Sequence, residues 1–197
     1  VVVVQGSGTM GLCSIAAIRE LTNAETIIAS AKYPLQRTLA EEFGADIVVG
    51  PSELKRAVRQ VTGCRMIGNS LSGGSNVTID AVGNASSIKI SLDITRPRGR
   101  VVMLGMPGVT KVDLTPLWHR EIEMVGSYTY GTEELSDGET TSSYELAFDL
   151  VREKKLEKLV TDTYPLDRYQ DAIRHAADAG SLGSVKVVFD MRNEKRR

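Results

Sequence analysis

Short runs of branched apolar residues alternate along this chain with stretches whose apolar residues repeat at helical spacing. The runs, which begin with "VVVV", lie at residues 1–4, 26–31, 45–50, 76–83, 99–108 and 120–130. Strands that alternate with helices of about ten residues predict a parallel sheet, because right-handed crossovers place the helices on both faces. The pattern therefore predicts an α/β fold built on a doubly wound, six-stranded parallel sheet.

The composition narrows the class of protein. The 197 residues are 42% hydrophobic and 25% charged, with a formal net charge of −1, so nucleic acid and anionic membranes are poor partners. No apolar run approaches the roughly 20 residues of a membrane span, and the first residues lack the pattern of a signal peptide. Cys13 and Cys64 have no neighbours at zinc-ligand spacing. We expect a soluble, cytoplasmic protein without a metal site or disulfide framework of its own.

A change in composition marks the end of the predicted sheet. The stretch "GTEELSDGETTSS", at residues 131–143, is polar and almost free of large apolar side chains, which is typical of a hinge or exposed connection. We place a domain boundary there, with the sheet domain at 1–131 and a C-terminal segment at 132–197. Because the chain begins inside a strand, we also expect it to be part of a longer protein.

The C-terminal segment has too few elements to form a domain alone. It is predicted to form two helices and a strand, at residues 143–160, 165–180 and 184–191. Ser142 and Glu145 have capping-box spacing before the first helix. Asp167 is the expected N-cap of the second helix, and Gly180 is expected to end it. The charged end of the chain, "RNEKRR", is too short to predict nucleic-acid binding.

A glycine-spaced turn follows the first strand. In "VVVVQGSGTMGL", Gly6, Gly8 and Gly11 satisfy the pattern G-x-G-x-x-G between a strand and a helix. The pattern uses Gly6 for the tight turn, Gly8 for the approach of a pyrophosphate and Gly11 for close helix packing. The N–H groups of Thr9, Met10 and Gly11 would then face the anion. This context favours a dinucleotide site of the Rossmann type over a purely structural turn or a methyltransferase.

The end of the second strand, "IIASAKYP", bears on which dinucleotide is preferred. Enzymes that select NAD place Asp or Glu there to hold the ribose hydroxyls. Ala31 stands at that position and Lys32 follows it, with Ser30 beside them and Arg37 on the next helix. A cation without a carboxylate favours the 2′-phosphate of NADP over NAD. The alternative, that Lys32 is an ordinary solvated lysine and the cofactor preference is loose, stays open.

Three further motifs occur in order after the glycine turn. They are "GGSNVTIDAVGNASSI", "TRPRGRVVMLGMPG" and "LWHREIEMVGSYTYG". With them, nearly the whole chain resembles the medium-chain dehydrogenase/reductase family, specifically its zinc-dependent alcohol and polyol dehydrogenases. The family has a catalytic domain, then a dinucleotide-binding domain, then a segment that returns to the catalytic domain. The resemblance implies that this chain contains the second and third pieces, so that its last helices and strand are a remnant of the catalytic domain.

The resemblance implies cofactor contacts at the carboxyl ends of the predicted strands. The residues matched to the pyrophosphate turn are Gly6, Gly8, Thr9, Met10 and Gly11. Those matched to the ribose are Ala31 and Lys32, and those matched to the adenosine side are Val82 and Gly83. Those matched to the nicotinamide are Leu104, Gly105, Met106, Ser127 and Thr129. The family's zinc ligands lie in its first domain. The resemblance therefore assigns no catalytic and no metal-binding residue to this chain, and zinc is expected only in that domain.

The implied activity is hydride transfer between an alcohol or polyol and NADP or NAD, with a small alcohol or carbonyl compound as substrate. The chain alone is expected to be inactive. The resemblance also implies a homodimer, with residues 106–114 at the paired sheet edge. Two alternatives stay open: a zinc-free quinone or enone reductase of the same family, and a non-catalytic dinucleotide-binding module.

Four other residues have weaker expectations. We expect His119 to pack or hydrogen-bond rather than act as an acid or base, because it lacks partners at triad or zinc spacing. His175 is expected at the surface, and Cys13 is expected to be a small core residue. Asp80 either contacts the cofactor or caps the turn that follows it.

Overall fold

The computed structural model describes residues 1–68, 70–135 and 137–192. The strands are β1 (Val2–Gln5), β2 (Ile27–Ser30), β3 (Ile47–Val49), β4 (Met66–Ile67), β5 (Ser70–Leu71), β6 (Ser75–Asp80), β7 (Thr95–Met103), β8 (Glu123–Gly126), β9 (Thr132–Glu134), β10 (Thr140–Ser142), β11 (Val160–Tyr164) and β12 (Lys186–Phe189). The helices are α1 (Thr9–Leu21), α2 (Pro34–Glu42), α3 (Leu54–Thr62), α4 (Ala85–Ile94), α5 (Thr115–His119), α6 (Ser143–Lys154) and α7 (Tyr169–Ala177). Short 3-10 turns lie at Pro51–Glu53, Leu156–Leu159 and Leu166–Arg168.

Six strands form one parallel sheet in the order β3-β2-β1-β6-β7-β8. The chain moves outward from β1 through β2 to β3, and then crosses back so that β6 pairs with the other side of β1. This arrangement confirms the predicted α/β fold with a doubly wound sheet. The strand order reverses between β1 and β6, and open sheets of this kind bind ligands outside the carboxyl ends of their strands at such a point.

The opening run of valines is buried on both faces of the sheet. Val4 packs in the same cluster as Leu12 and Ile15 of α1, whereas Val3 packs in a separate cluster with Leu54 of α3. Both valines are fully buried. Because successive side chains of a strand point to opposite faces, each valine packs beneath a different layer of helices. A strand covered in this way has a continuous apolar sequence rather than an alternating one.

The C-terminal segment packs against the helices of the sheet. Leu150 on α6, with Leu156 and Leu159 in the turn that follows it, is buried in the same cluster as α1. Lys154, at the end of α6, forms an ion pair with Glu20 on α1. The segment therefore shares a hydrophobic core with the sheet, and the boundary between residues 131 and 132 stays a prediction.

The predicted capping box before α6 is confirmed. The Ser142 hydroxyl accepts a hydrogen bond from the Glu145 N–H at 3.2 Å, and the Glu145 carboxylate accepts one from the Ser142 N–H at 3.1 Å. Within the polar stretch at 131–143, β9 and β10 pair as an antiparallel hairpin, and most of the described residues of the stretch are exposed.

Both predicted ends of the second C-terminal helix are wrong. A 3-10 turn precedes α7, which begins at Tyr169 without a side-chain cap, so Asp167 lies in that turn and is not the N-cap. The helix ends at Ala177, before Gly180. A Cβ at Gly180 would lie 2.5 Å from Cδ2 of Tyr33. The glycine at this position therefore allows packing against that ring instead of ending the helix.

The prediction that His175 lies at the surface is also wrong. Its side chain is only 16% exposed. The Tyr164 hydroxyl lies 2.8 Å from its Nδ1, and the Ser184 hydroxyl lies 2.7 Å from its Nε2. The error has a clear cause: β11, which the sequence pattern did not predict, pairs in parallel with β12, and both partners of the imidazole lie at or beside these strands.

The helices of the chain and its charged end bear on two further predictions. Within the described ranges, no helix combines the length and the apolar character needed to cross a bilayer. The charged end predicted at 192–197 lies outside the described residues, apart from Arg192.

Candidate cofactor-binding site

The glycine turn between β1 and α1 depends on contacts that exclude a side chain. Gly6 has a φ of +91°, in the region that favours glycine, and a Cβ there would lie 2.5 Å from Cγ2 of Val82. A Cβ at Gly11 would overlap the carbonyl oxygen of Gly6 and lie 2.9 Å from its carbonyl carbon. Gly6 and Gly11 are therefore required for the turn and for the packing of α1 on β1.

Gly8 differs from the other two glycines because a Cβ there would meet no atom within 4 Å. It is the N-cap residue of α1, and this helix end has no side-chain cap and no acidic residue in its first turn. The first backbone hydrogen bond of the helix runs from the Leu12 N–H to the Gly8 carbonyl, at 2.9 Å. The N–H groups of Thr9, Met10 and Gly11 thus precede the helical hydrogen-bond ladder. An uncapped helix N-terminus beside open space fits an anion.

Asp80, at the end of β6, organises the loop that faces the glycine turn. One carboxylate oxygen accepts hydrogen bonds from the N–H groups of Val82 and Gly83, at 2.9 and 3.0 Å. The other accepts a hydrogen bond from the Ser87 hydroxyl at 2.8 Å. Asp80 is fully buried. Of the two roles left open for Asp80, the structure supports capping of the turn that follows it.

The ends of β6 and β7 lie against each other through two glycines. A Cβ at Gly105 would overlap the backbone nitrogen of Gly83 and lie 2.6 Å from the carbonyl carbon of Val82, and a Cβ at Gly83 would lie 2.7 Å from the carbonyl carbon of Gly105. The N–H groups of Leu104 and Gly105 both donate to the Asp80 carbonyl, at 3.0 and 2.7 Å. Residues predicted separately for the adenosine and nicotinamide sides are thus brought into direct contact.

A cleft of about 380 Å³ opens where the strand order reverses. It is lined by Gln5, Gly6, Ser7, Gly8, Ser30, Lys32, Gln36, Pro51, Ala81, Val82, Asn84, Ser86, Ser87 and Ile90. Four predicted site residues belong to this lining: Gly6, Gly8, Lys32 and Val82. Apart from Ser30, the strand pattern did not indicate the rest of the wall, because those residues come from the end of β1, the glycine turn, α2, the 3-10 turn before α3, and α4 with the residues just before it.

The part of the cleft next to the carboxyl end of β2 carries positive charge. Ala31 is 1% exposed, while Lys32 is exposed with its Nζ 5.2 Å from the centre of the Tyr33 ring. The Ser30 hydroxyl accepts a hydrogen bond from the Gly6 N–H at 3.1 Å. Lys32 is the charged residue of the lining, which includes no Asp or Glu. Arg37 does not line the cleft.

The residues predicted for the nicotinamide side lie outside this cleft. Met106 is 92% exposed. Ser127, just after β8, donates its N–H to the Met103 carbonyl at 3.0 Å, and Thr129 has a φ of +58°, which is uncommon for a β-branched residue. They lie beyond the carboxyl ends of β7 and β8, at the same edge of the sheet as the glycine turn.

A contact from the far end of the sequence reaches the glycine turn. The Thr9 hydroxyl donates to the Val185 carbonyl at 3.3 Å. Burial raises the pKa of the Cys13 thiol on α1, and the charge of Lys186, the residue after Val185, partly offsets this increase. Local sequence patterns gave no signal for a cation beside α1, because Thr9 and Val185 lie 176 residues apart.

Across the part of the chain that the structure describes, no three His, Cys, Asp or Glu side chains are grouped so that they could hold a metal ion.

Comparison with known proteins places the chain in a family. The profile of the zinc-binding dehydrogenases matches residues 9–143. L-idonate 5-dehydrogenase (NAD(P)(+)) of Escherichia coli (strain K12) is 27% identical over 189 residues, which are 95% of this chain and 50% of that protein. Sorbitol dehydrogenase of Macaca fascicularis is 25% identical over 181 residues, 87% of this chain and 44% of that protein.

Solved structures show the same fold. A protein of Sinorhizobium meliloti 1021, described as a zinc-binding dehydrogenase and solved bound to NADP, superposes with a TM-score of 0.69 at 24% identity, covering 96% of this chain and 52% of that one. The chain thus spans about half the length of the relatives that it matches. Because the family profile covers more than half of its residues, this chain belongs to the zinc-binding dehydrogenase family.

Proposed function

We propose that this chain binds NADP or NAD and is the cofactor-binding half of an alcohol or polyol dehydrogenase. The observation that carries the proposal is the uncapped N-terminus of α1, which opens behind Gly8 onto the cleft between β1 and β6. A pyrophosphate would accept hydrogen bonds from the N–H groups of Thr9, Met10 and Gly11. The names of the relatives, L-idonate 5-dehydrogenase and sorbitol dehydrogenase, support a polyol as the substrate class.

The chain's own residues bind and orient the cofactor. A bound nicotinamide dinucleotide would supply the hydride chemistry. The glycine turn would hold its pyrophosphate, and the loops joined at Gly83 and Gly105 would set the floor between its two halves. The nicotinamide would extend toward Leu104, Met106, Ser127 and Thr129, as the family resemblance implies. In this proposal the zinc and the groups that contact the substrate lie outside this chain.

The cofactor preference in this proposal is for NADP over NAD. Ala31 supplies no carboxylate to hold the ribose hydroxyls. Lys32, which follows the end of β2, is the charged residue among those that line the cleft. A 2′-phosphate would gain a charge-assisted contact with Lys32, which the 2′-hydroxyl of NAD lacks.

Titration of the chain with NADP⁺ and NAD⁺, followed by thermal unfolding, tests both parts of this proposal. A ligand that binds only the native state stabilises it by about 2.7 kcal/mol at a hundred times its Kd. We expect both dinucleotides to protect the chain, with NADP⁺ effective at lower concentration. Lys32→Ala should weaken NADP⁺ binding about tenfold and leave NAD⁺ binding unchanged. Arg56→Ala, which removes an exposed cation of α3 outside the cleft, is the control.

Cofactor binding and the preference for NADP are contradicted by different outcomes. The absence of protection by either dinucleotide would contradict cofactor binding. Stronger protection by NAD⁺, or an unchanged NADP⁺ affinity in Lys32→Ala, would contradict only the phosphate preference.

The activity of the whole protein is a further part of the proposal. We expect the longer protein to oxidise a polyol with NADP⁺ or NAD⁺ in the cytoplasm, with the segment at 132–197 completing the catalytic domain. We also propose that it is a homodimer that pairs near residues 106–114. These residues are exposed apart from Val112 and belong to no strand. The edge strand of the sheet on that side is β8. Polyol oxidation that is lost on zinc chelation supports the activity, and a monomer in gel filtration contradicts the dimer.

A further inference from the structure

Three adjacent strands end in polar side chains at one level of the sheet. Gln5 of β1 is paired in register with Ser30 of β2 on one side and with Asp80 of β6 on the other. Side chains in register on parallel strands point to the same face. All three are at most 4% exposed. Gln5 and Ser30 line the cleft where the strand order reverses, and Asp80 is paired with Gln5 in the sheet.

The outer two members of this row are satisfied by the chain itself. The Ser30 hydroxyl accepts the Gly6 N–H, and the Asp80 carboxylate accepts the three hydrogen bonds described above. Gln5 is different, because both its Oε1 and its Nε2 are buried without a hydrogen-bond partner in the described part of the chain. A buried amide that leaves both a donor and an acceptor unpaired destabilises the fold that contains it.

The position of Gln5 shows where a partner would come from. Its side chain lies on the same face as Val3, toward α3 and α4, and it lines the cleft together with Pro51 and Ile90. Pro51, Val82 and Ile90 contribute apolar surface to the lining of the cleft. The glycine turn, which begins directly after Gln5 and whose Gly6 faces Val82, lines it as well. A flat ring with a polar edge fits between apolar walls above an amide.

We infer that Gln5 reads the base of the bound dinucleotide, by pairing its amide with a donor-and-acceptor edge of adenine. Glutamine suits this edge because the exocyclic N6–H₂ of adenine donates to Oε1 while a ring nitrogen accepts from Nε2. Gln5 is thus a specificity-determining residue of the cofactor site. This inference rests on the proposed function, since it assigns a role within the same site.

The test compares NADP⁺ with 1,N6-etheno-NADP⁺, in which the added ring removes the N6–H donor. Affinities for both are measured with the wild-type chain and with Gln5→Met, which keeps the length of the side chain but removes its polar atoms. We expect the preference of the wild type for adenine over ethenoadenine to fall about tenfold in Gln5→Met. Because the bulk of the etheno ring is the same in both variants, it cancels in this comparison.

A second measurement does not depend on a variant. The side-chain amide resonances of Gln5 should move when NADP⁺ binds to the wild-type chain and should move much less with the etheno derivative. An equal preference in the wild type and Gln5→Met, or unmoved Gln5 resonances at saturation with NADP⁺, overturns the inference while the proposed function stands. Failure of the wild type to bind either dinucleotide overturns both.

Discussion

Gly11 packs directly on the carbonyl group of Gly6, so closely that a Cβ on Gly11 would overlap the carbonyl oxygen. This contact fixes the distance between α1 and β1, and with it the direction in which the helix N-terminus faces. The neighbouring Gly8 has open space at the corresponding position. Two glycines of one motif therefore have separable roles, the first in packing and the second in leaving room for a ligand.

Gly8→Ala should weaken dinucleotide binding without unfolding the chain. The added methyl group meets no protein atom, but it occupies the approach to the helix N-terminus. We expect the Kd for NADP⁺ to rise at least about tenfold, or roughly 1.4 kcal/mol, while the free energy of unfolding changes by less than about 1 kcal/mol. Calorimetric titration and urea unfolding measure the two quantities.

Gly11→Ala is the matched comparison within the same turn. Its methyl group must displace backbone atoms, so we expect a loss of stability of about 1–3 kcal/mol or more. Loss of stability in Gly8→Ala equal to that in Gly11→Ala would show that open space at Gly8 is not what distinguishes these positions.

Gly105→Ala should destabilise the chain through the contact between the ends of β6 and β7. The methyl group would overlap the backbone of Gly83, and we expect urea unfolding to show a loss of about 1–3 kcal/mol. Gly131→Ala is the control, since a Cβ there meets nothing within 4 Å. Equal unfolding midpoints for the two variants would contradict close packing of these loops.

Asp80→Ala should loosen the loop at Val82 and Gly83. The substitution removes the acceptor for two backbone N–H groups and for the Ser87 hydroxyl, and a buried donor without a partner costs about 1–3 kcal/mol. Amide exchange at Val82 and Gly83 should become faster, whereas exchange in the distant β11 should not change. Unaltered exchange at both loop amides would contradict the capping role of Asp80.

The cap of α6 should depend on pH in acid. Hydrogen bonds from the Ser142 N–H, the Thr141 hydroxyl and the Ser142 hydroxyl, in that order of size, lower the pKa of the Glu145 carboxyl. A lowered pKa in the folded state means that this stabilisation is complete above the ordinary glutamate pKa of about 4.3, and is lost as pH falls through the lowered value.

Urea unfolding of the wild type and of Glu145→Gln from about pH 2 to pH 7 checks the pH dependence of this cap. We expect the wild type to be the more stable of the two near neutral pH, and the difference to shrink in acid as Glu145 becomes protonated. A difference that is constant across this range would show that the charge of Glu145 does not contribute to the cap.

The sequence was most informative where structure depends on neighbouring residues. The strand at Val2–Gln5, the glycine turn and the capping box of Ser142 and Glu145 are local patterns, and each was predicted correctly. The parallel sheet with helices on both faces followed from the handedness of crossovers, which is a general rule. These features needed no knowledge of distant contacts.

Features that depend on distant contacts were missed. The partners of His175 are a tyrosine and a serine beside strands β11 and β12, and β11 has no strong apolar pattern because its residues alternate between partly buried and exposed positions. Gln5 looked like an ordinary strand end. The register with Ser30 and Asp80 places it in a row of three polar side chains, of which its amide alone lacks a hydrogen-bond partner among the described residues.

The most direct test of dinucleotide binding at the glycine turn is the backbone amide spectrum of the chain during titration with NADP⁺. If a pyrophosphate binds the N-terminus of α1, the amide signals of Thr9, Met10 and Gly11 should show the largest shifts, followed by those of Val82 and Gly83, and should saturate together. Saturable shifts confined to other parts of the chain, or no shifts at millimolar NADP⁺, would contradict the account.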